Sequence, residues 1–73
     1  MAKLPVVKGD DAIKAFARVG FHLDHWSGGH AIIYHPDGRH LSIPGGRKEL
    51  KPGTLRTLIR KAGLTVDKFT ELL

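Results

Sequence analysis

Cysteine is missing from all 73 residues, so disulfides and thiolate metal sites are excluded. Long hydrophobic runs are missing as well. No apolar stretch approaches the roughly 20 residues that cross a membrane, and the opening MAKLPVVKGDDAIK lacks the apolar segment of a signal peptide. A cytoplasmic protein without membrane association is expected. No internal repeat or low-complexity stretch breaks the chain, and its length allows one domain, residues 1–73. Such a domain buries only about 60% of the surface its unfolded form exposes, so its core must be compact.

Acidic charge is scarce in one stretch. Residues 1–38 balance Lys3, Lys8, Lys14 and Arg18 against Asp10, Asp11, Asp24 and Asp37. Residues 39–61 hold Arg39, Arg47, Lys48, Lys51, Arg56, Arg60 and Lys61 against Glu49 alone. Nearly all of the formal charge of +5 therefore sits in that second stretch. A basic segment on an otherwise balanced domain is the footprint of a polyanion partner. A face kept charged for solubility and an acidic protein partner are the other readings.

Apolar spacing supplies the elements. GDDAIKAFARVG reads as a helix with Asp10 as its cap, Asp11 in the first turn and Gly20 as its stop. FHLDHW alternates apolar and polar residues, which is strand periodicity. SGG breaks that strand, and HAIIYH follows with apolar residues on both faces, as a central strand would. Pro36-Asp37-Gly38 is a hairpin turn into a third strand, RHLSIP, where Arg39 falls in phase with the apolar Leu41 and Ile43. After the basic loop GGRKELKPG, TLRTLIRKAG places Leu55, Leu58, Ile59 and Ala62 on one helical face. TVDKFTELL caps on Thr65 and buries Val66, Phe69 and Leu72 or Leu73. Helix, three antiparallel strands, helix and short helix make an α+β sandwich of two layers.

Five histidines are present. His30 stands directly behind Gly28 and Gly29 at the mouth of a hairpin, where packing and proton transfer are both open to it. His22, His25, His35 and His40 come from different strands, with no cysteine and no HxxxH pair on a helix, which argues against a zinc site. Trp26 and Tyr34 suit either packing or base stacking.

Three segments in order, ARVGFHLDHWSGGHAIIYHP, HPDGRHLSIP and ELKPGTLRTLIRKAGLT, resemble the HicA family of toxins, also called YcfA-like, from bacterial toxin–antitoxin pairs. The family pattern runs from a strand through Gly-Ser-His, an apolar strand and a Pro-Asp/Glu-Gly turn. A Lys-Lys/Pro-Gly-Thr-Leu run then opens a helix. Gly28-Gly29-His30 occupy the Gly-Ser-His place and Lys51-Pro52-Gly53-Thr54-Leu55 the other. Gly29 departs from the usual serine. The resemblance spans nearly the whole chain, roughly residues 9–72. It implies a double-stranded-RNA-binding-like fold, cleavage of mRNA with neither metal nor cofactor, and neutralisation by an antitoxin of the HicB type. The family's catalytic histidine corresponds to His30.

That chemistry suits these residue types. RNA carries its own nucleophile, the 2′-hydroxyl, which must lose a proton while the 5′-oxygen gains one. Histidine titrates near working pH, and positioned acid–base catalysis contributes roughly 10²–10⁴-fold. Gly28 and Gly29 let backbone amides approach a phosphate, while Arg47, Lys48, Lys51, Arg56 and Arg60 can hold flanking phosphates. A non-catalytic RNA-binding module is the alternative, since only His30 separates the two. LIRKAGLTVDKFTELL also scans like a DNA-binding helix-turn-helix, yet its second helix offers only Asp67, Lys68, Thr70 and Glu71 outward. The antitoxin is expected to cover His30 with acidic side chains. The sequence says nothing of the oligomeric state.

Overall fold

The strands lie in chain order. In this computed structural model, which describes residues 3–73, helix α1 (Gly9–Ala17) leads into strands β1 (His22–Ser27), β2 (His30–Tyr34) and β3 (His40–Pro44). Helices α2 (Pro52–Lys61) and α3 (Val66–Glu71) follow. Met1 and Ala2, the first residues of the expected domain, lie outside the described residues. The sheet is an antiparallel meander of order β1-β2-β3, so the apolar run at 31–34 is central as expected, although only its Ala31–Ile33 face is covered.

One face of β2 and β3 carries the core. Ala31 pairs with Ile43 and Ile33 with Leu41, and all four are buried. Helices α1 and α2 pack on β3, covering that face with Ala12, Ala15, Phe16, Leu55, Leu58 and Ile59. Phe69 of α3 closes the cluster, its ring 5.1 Å from that of Phe16, and Phe21 meets Phe16 edge-on at 5.9 Å. Burying each such side chain contributes about 1.5–3 kcal/mol. The result is the expected α+β sandwich, with all helices in one layer.

β1 differs from its sequence pattern. Alternation in FHLDHW predicts a half-buried strand, but all six residues of β1 are exposed. The register shifts between Leu23 and His25, which leaves Asp24 as a bulge and brings Trp26 onto the same face as Leu23. That face points towards the helix layer, yet the helices cover only β2 and β3.

Helix ends also depart from expectation, for a common reason. Lys8, not Asp10, occupies the N-cap of α1 and makes no side-chain cap. The first amides are met instead by the loop after β3, with Gly9 N–H donating to Lys48 O at 3.2 Å and Asp10 N–H to Gly46 O at 3.1 Å. The Asp10 carboxylate accepts from Gly46 N–H at 2.8 Å. Helix α1 ends at Ala17, and Gly20 takes a left-handed φ of 99° in the turn beyond. Helix α2 starts two residues before Thr54, because Pro52 fits the first helical position. Thr65 caps α3 as expected, its hydroxyl accepting from Lys68 N–H at 3.1 Å. Leu72 packs against the core while Leu73 is exposed.

Arg39 resolves its conflict of phase by leaving the core at its rim. Its guanidinium lies 5.3 Å from the centre of the Phe21 ring, donates to the Ala62 carbonyl at the end of α2, and meets Asp37 Oδ2 at 2.8 Å. The chain between residues 35 and 40 is thereby tied to both Phe21 and α2.

Candidate active site

Ser27 and His30 are paired across the β1–β2 hairpin, leaving Gly28 and Gly29 as a two-residue turn. Their φ values are 54° and 84°. Positive φ at both positions is the type I′ arrangement, whose twist matches that of the flanking strands and which favours glycine. No atom lies within 4 Å of a Cβ built on either residue. Conformation therefore favours these glycines, and the turn stands in open space.

His30 is the first residue of β2 and is exposed. Strand alternation puts it on the face opposite Ala31 and Ile33, away from the helices. The register arranges that open face in three rows: His22, Tyr34 and His40; His25, Ile32 and Ser42; Ser27, His30 and Pro44. An imidazole here is open to solvent on the uncovered side of the sheet.

A backbone contact ties the site to the basic loop. Gly45 N–H donates to Gly29 O at 3.1 Å, so the chain leaving β3 passes directly behind the His30 turn. Gly45 is fixed by Trp26, whose ring would lie 2.5 Å from an added Cβ. Ala31, small and between Trp26 and Ile43 in the register, leaves room for the indole to reach across. Trp26, although 53% exposed, is thus a packing residue on the helix side of the sheet. Gly9 is fixed harder, since an added Cβ would lie 1.9 Å from the Pro44 carbonyl oxygen. The backbone of Pro44, the register partner of His30, therefore rests on the start of α1. Sequence reasoning missed these contacts because glycine packing leaves no periodic signal.

The basic residues divide. Arg47 and Lys48 follow Gly45 and Gly46 in the loop tied to the His30 turn, and Arg47 lines a groove with Asp10 and Asp11 at the start of α1. Lys51 is the N-cap of α2. Arg56 and Arg60 line a groove with Ile59, Gly63, Leu64 and Val66, between α2 and α3 and with no strand residue. The helix layer separates those two arginines from the His30 face. Lys61, by contrast, borders Ser42 along the β3 edge together with Thr54 and Thr57.

His35 shows what a structural histidine looks like in this protein. Its Nε2 lies 3.1 Å from Val19 O, and its Nδ1 sits against the turn, 3.2 Å from Asp37 N and 3.0 Å from Asp37 Oδ1. Its ring packs edge-on against Phe21 at 5.1 Å. His25 meets Asp24 at 2.7 Å, and His40 stacks on Tyr34 at 5.5 Å. No three His, Asp or Glu side chains cluster as a metal site would need among the described residues. Nor does a helix among them have the length and apolarity to cross a membrane.

A comparison with protein-family profiles matches residues 9–64 to the family described as HicA toxin of bacterial toxin-antitoxin. The chain belongs to the HicA toxin family. The match begins at Gly9, takes in the whole sheet and α2, and includes His30, Arg47, Lys48, Lys51, Arg56, Arg60 and Lys61. A comparison with curated protein sequences gave no match. As a HicA-family toxin, the chain belongs to a toxin–antitoxin pair and has an antitoxin partner.

Proposed function

We propose that this HicA-family toxin is an endoribonuclease that cleaves mRNA in the cytoplasm without a metal ion, using His30 for proton transfer. The observation that carries this reading is the placement of His30: exposed, on the open sheet face, immediately after the Gly28–Gly29 turn. A base at this position takes the proton of the ribose 2′-hydroxyl, whose oxygen attacks the adjacent phosphorus. The bond to the 5′-oxygen breaks, that oxygen gains a proton, and a 2′,3′-cyclic phosphate remains. Amides of the Gly28–Gly29 turn and the cations Arg47, Lys48 and Lys51 favour the crowded negative charge on the phosphate. Arg56 and Arg60 hold RNA only where the strand wraps round to the groove between α2 and α3.

The antitoxin, of the HicB type, inhibits by covering His30 with acidic side chains. A stable toxin–antitoxin complex that still cleaved RNA would contradict this mode of inhibition.

Purified protein incubated with RNA in EDTA, beside a folded His30→Ala variant, tests the proposal. Loss of cleavage by about 10²–10⁴-fold is expected. Undiminished cleavage by the variant ends the role of His30, and RNA binding without cleavage by the native protein favours a non-catalytic RNA-binding module.

A further inference from the structure

We infer that the open face of the sheet is a platform for single-stranded RNA, on which Tyr34, stacked with His40, holds an unpaired base a few nucleotides from the cleaved bond. This rests on the ribonuclease reading above and adds the form of the substrate and a specificity residue.

Tyr34 is the only tyrosine of the chain, and it lies outside the core. It is 43% exposed, on the face the helices leave bare, and its ring stacks on His40 with an interplanar angle of 26°. The pair is a ready-made stacking surface, since a base presents a π-face that such rings accept whatever its identity. Trp26 has no such role, because its ring lies against Gly45 on the other side of the sheet.

Spacing and charge agree with this occupant. Tyr34 and His30 share β2 and its outer face, four residues apart, or about 13 Å at the strand rise. That distance spans no more than about four nucleotides at the 3.4 Å spacing of a stacked strand. None of the nine register positions of the face is a carboxylate, and the bulged Asp24 is engaged by His25. Lys61 stands at the Ser42 edge of the face, where it can meet a phosphate. A duplex keeps its base faces stacked internally, so a flat aromatic surface selects unpaired strands. A protein partner would find only Ile32 and Pro44 as aliphatic side chains among these nine positions.

The test measures binding in a His30→Ala background, which does not cleave. A single strand of about eight nucleotides and a duplex of about 16 base pairs serve as probes. Tighter binding of the single strand is expected. Adding Tyr34→Ala weakens it by about 5- to 100-fold, adding His40→Ala weakens it less, and adding Tyr34→Phe leaves it within about twofold. Ring signals of Tyr34 and His40 in NMR spectra shift on adding the single strand while the Trp26 indole signal stays. That readout stands even where Tyr34→Ala fails to fold. Single-strand affinity indifferent to both alanine changes overturns the inference while leaving cleavage by the native protein intact. So does a Tyr34→Ala variant that loses only its antitoxin, which would make the face a protein interface. A native protein that neither binds nor cleaves RNA removes the ribonuclease reading itself.

Discussion

The turn joining β2 to β3 and the turn joining β1 to β2 each carry a histidine and a glycine, but they treat the histidine in opposite ways. At residues 35–39 every polar side chain is engaged within the protein. His35 bridges Val19 and Asp37, Asp37 accepts from Arg39, and Arg39 reaches Ala62. At residues 27–30 the turn adds to its strand pairing one backbone bond, Gly45 N–H to Gly29 O, and His30 is left exposed. A ring with both nitrogens occupied holds structure together. A ring left open is available for proton transfer.

The largest effect should come from undermining the open turn. Gly9→Ala pushes a methyl into the Pro44 carbonyl oxygen beside His30, and neither partner is a flexible side-chain end. A loss of about 3 kcal/mol or more is expected, seen as a collapse of the thermal midpoint together with cleavage. The same change at Gly28 or Gly29 meets no atom and costs about 1–2 kcal/mol for the left-handed backbone.

Next comes a direct contrast of the two histidines. His35→Ala removes two hydrogen bonds and the edge contact with Phe21, costing about 2 kcal/mol. The melting temperature then falls by roughly 8–16 °C for a domain this small. His30→Ala, at an exposed position without such contacts, should change stability by less than about 0.5 kcal/mol. A smaller effect follows at Arg39. Arg39→Lys retains the charge but loses the planar contact with Phe21 and the reach to Ala62, costing about 1 kcal/mol in chemical unfolding.

Acid gives the smallest effect. Arg39 N–H, its guanidinium and the nearby His35 hold the Asp37 carboxyl below its ordinary value. A carboxyl depressed in the folded state stabilises it at pH values above the unfolded value. That contribution fades as pH falls below about 4. Thermal unfolding between pH 5 and pH 3 should show a slightly shallower decline for Asp37→Asn than for the native protein.

Much of this was legible in the sequence. The α1, β2 and α2 patterns lead directly to the buried faces, because Phe16, Ile33, Leu55 and Leu58 recur at the periods of their elements. β1 was not, since alternation reveals which residues share a face but not whether a helix covers it, and the bulge at Asp24 reverses the phase. The cap of α1 was hidden because Gly46 O and Lys48 O are backbone atoms without a side-chain signature. His30 stood out from its glycine pair and from the family pattern, whereas its open setting needed the register with Ser27 and Pro44. The basic stretch read as one surface, but the helical period sends Arg56 and Arg60 to the side facing α3.

RNA cleavage in EDTA by His30→Ala and His35→Ala, compared per folded molecule below both melting temperatures, asks most directly whether the open ring does the chemistry. A fall of about 10²–10⁴-fold for His30→Ala alone, with an unchanged melting temperature, is the predicted result. Cleavage at the native rate by His30→Ala would contradict it.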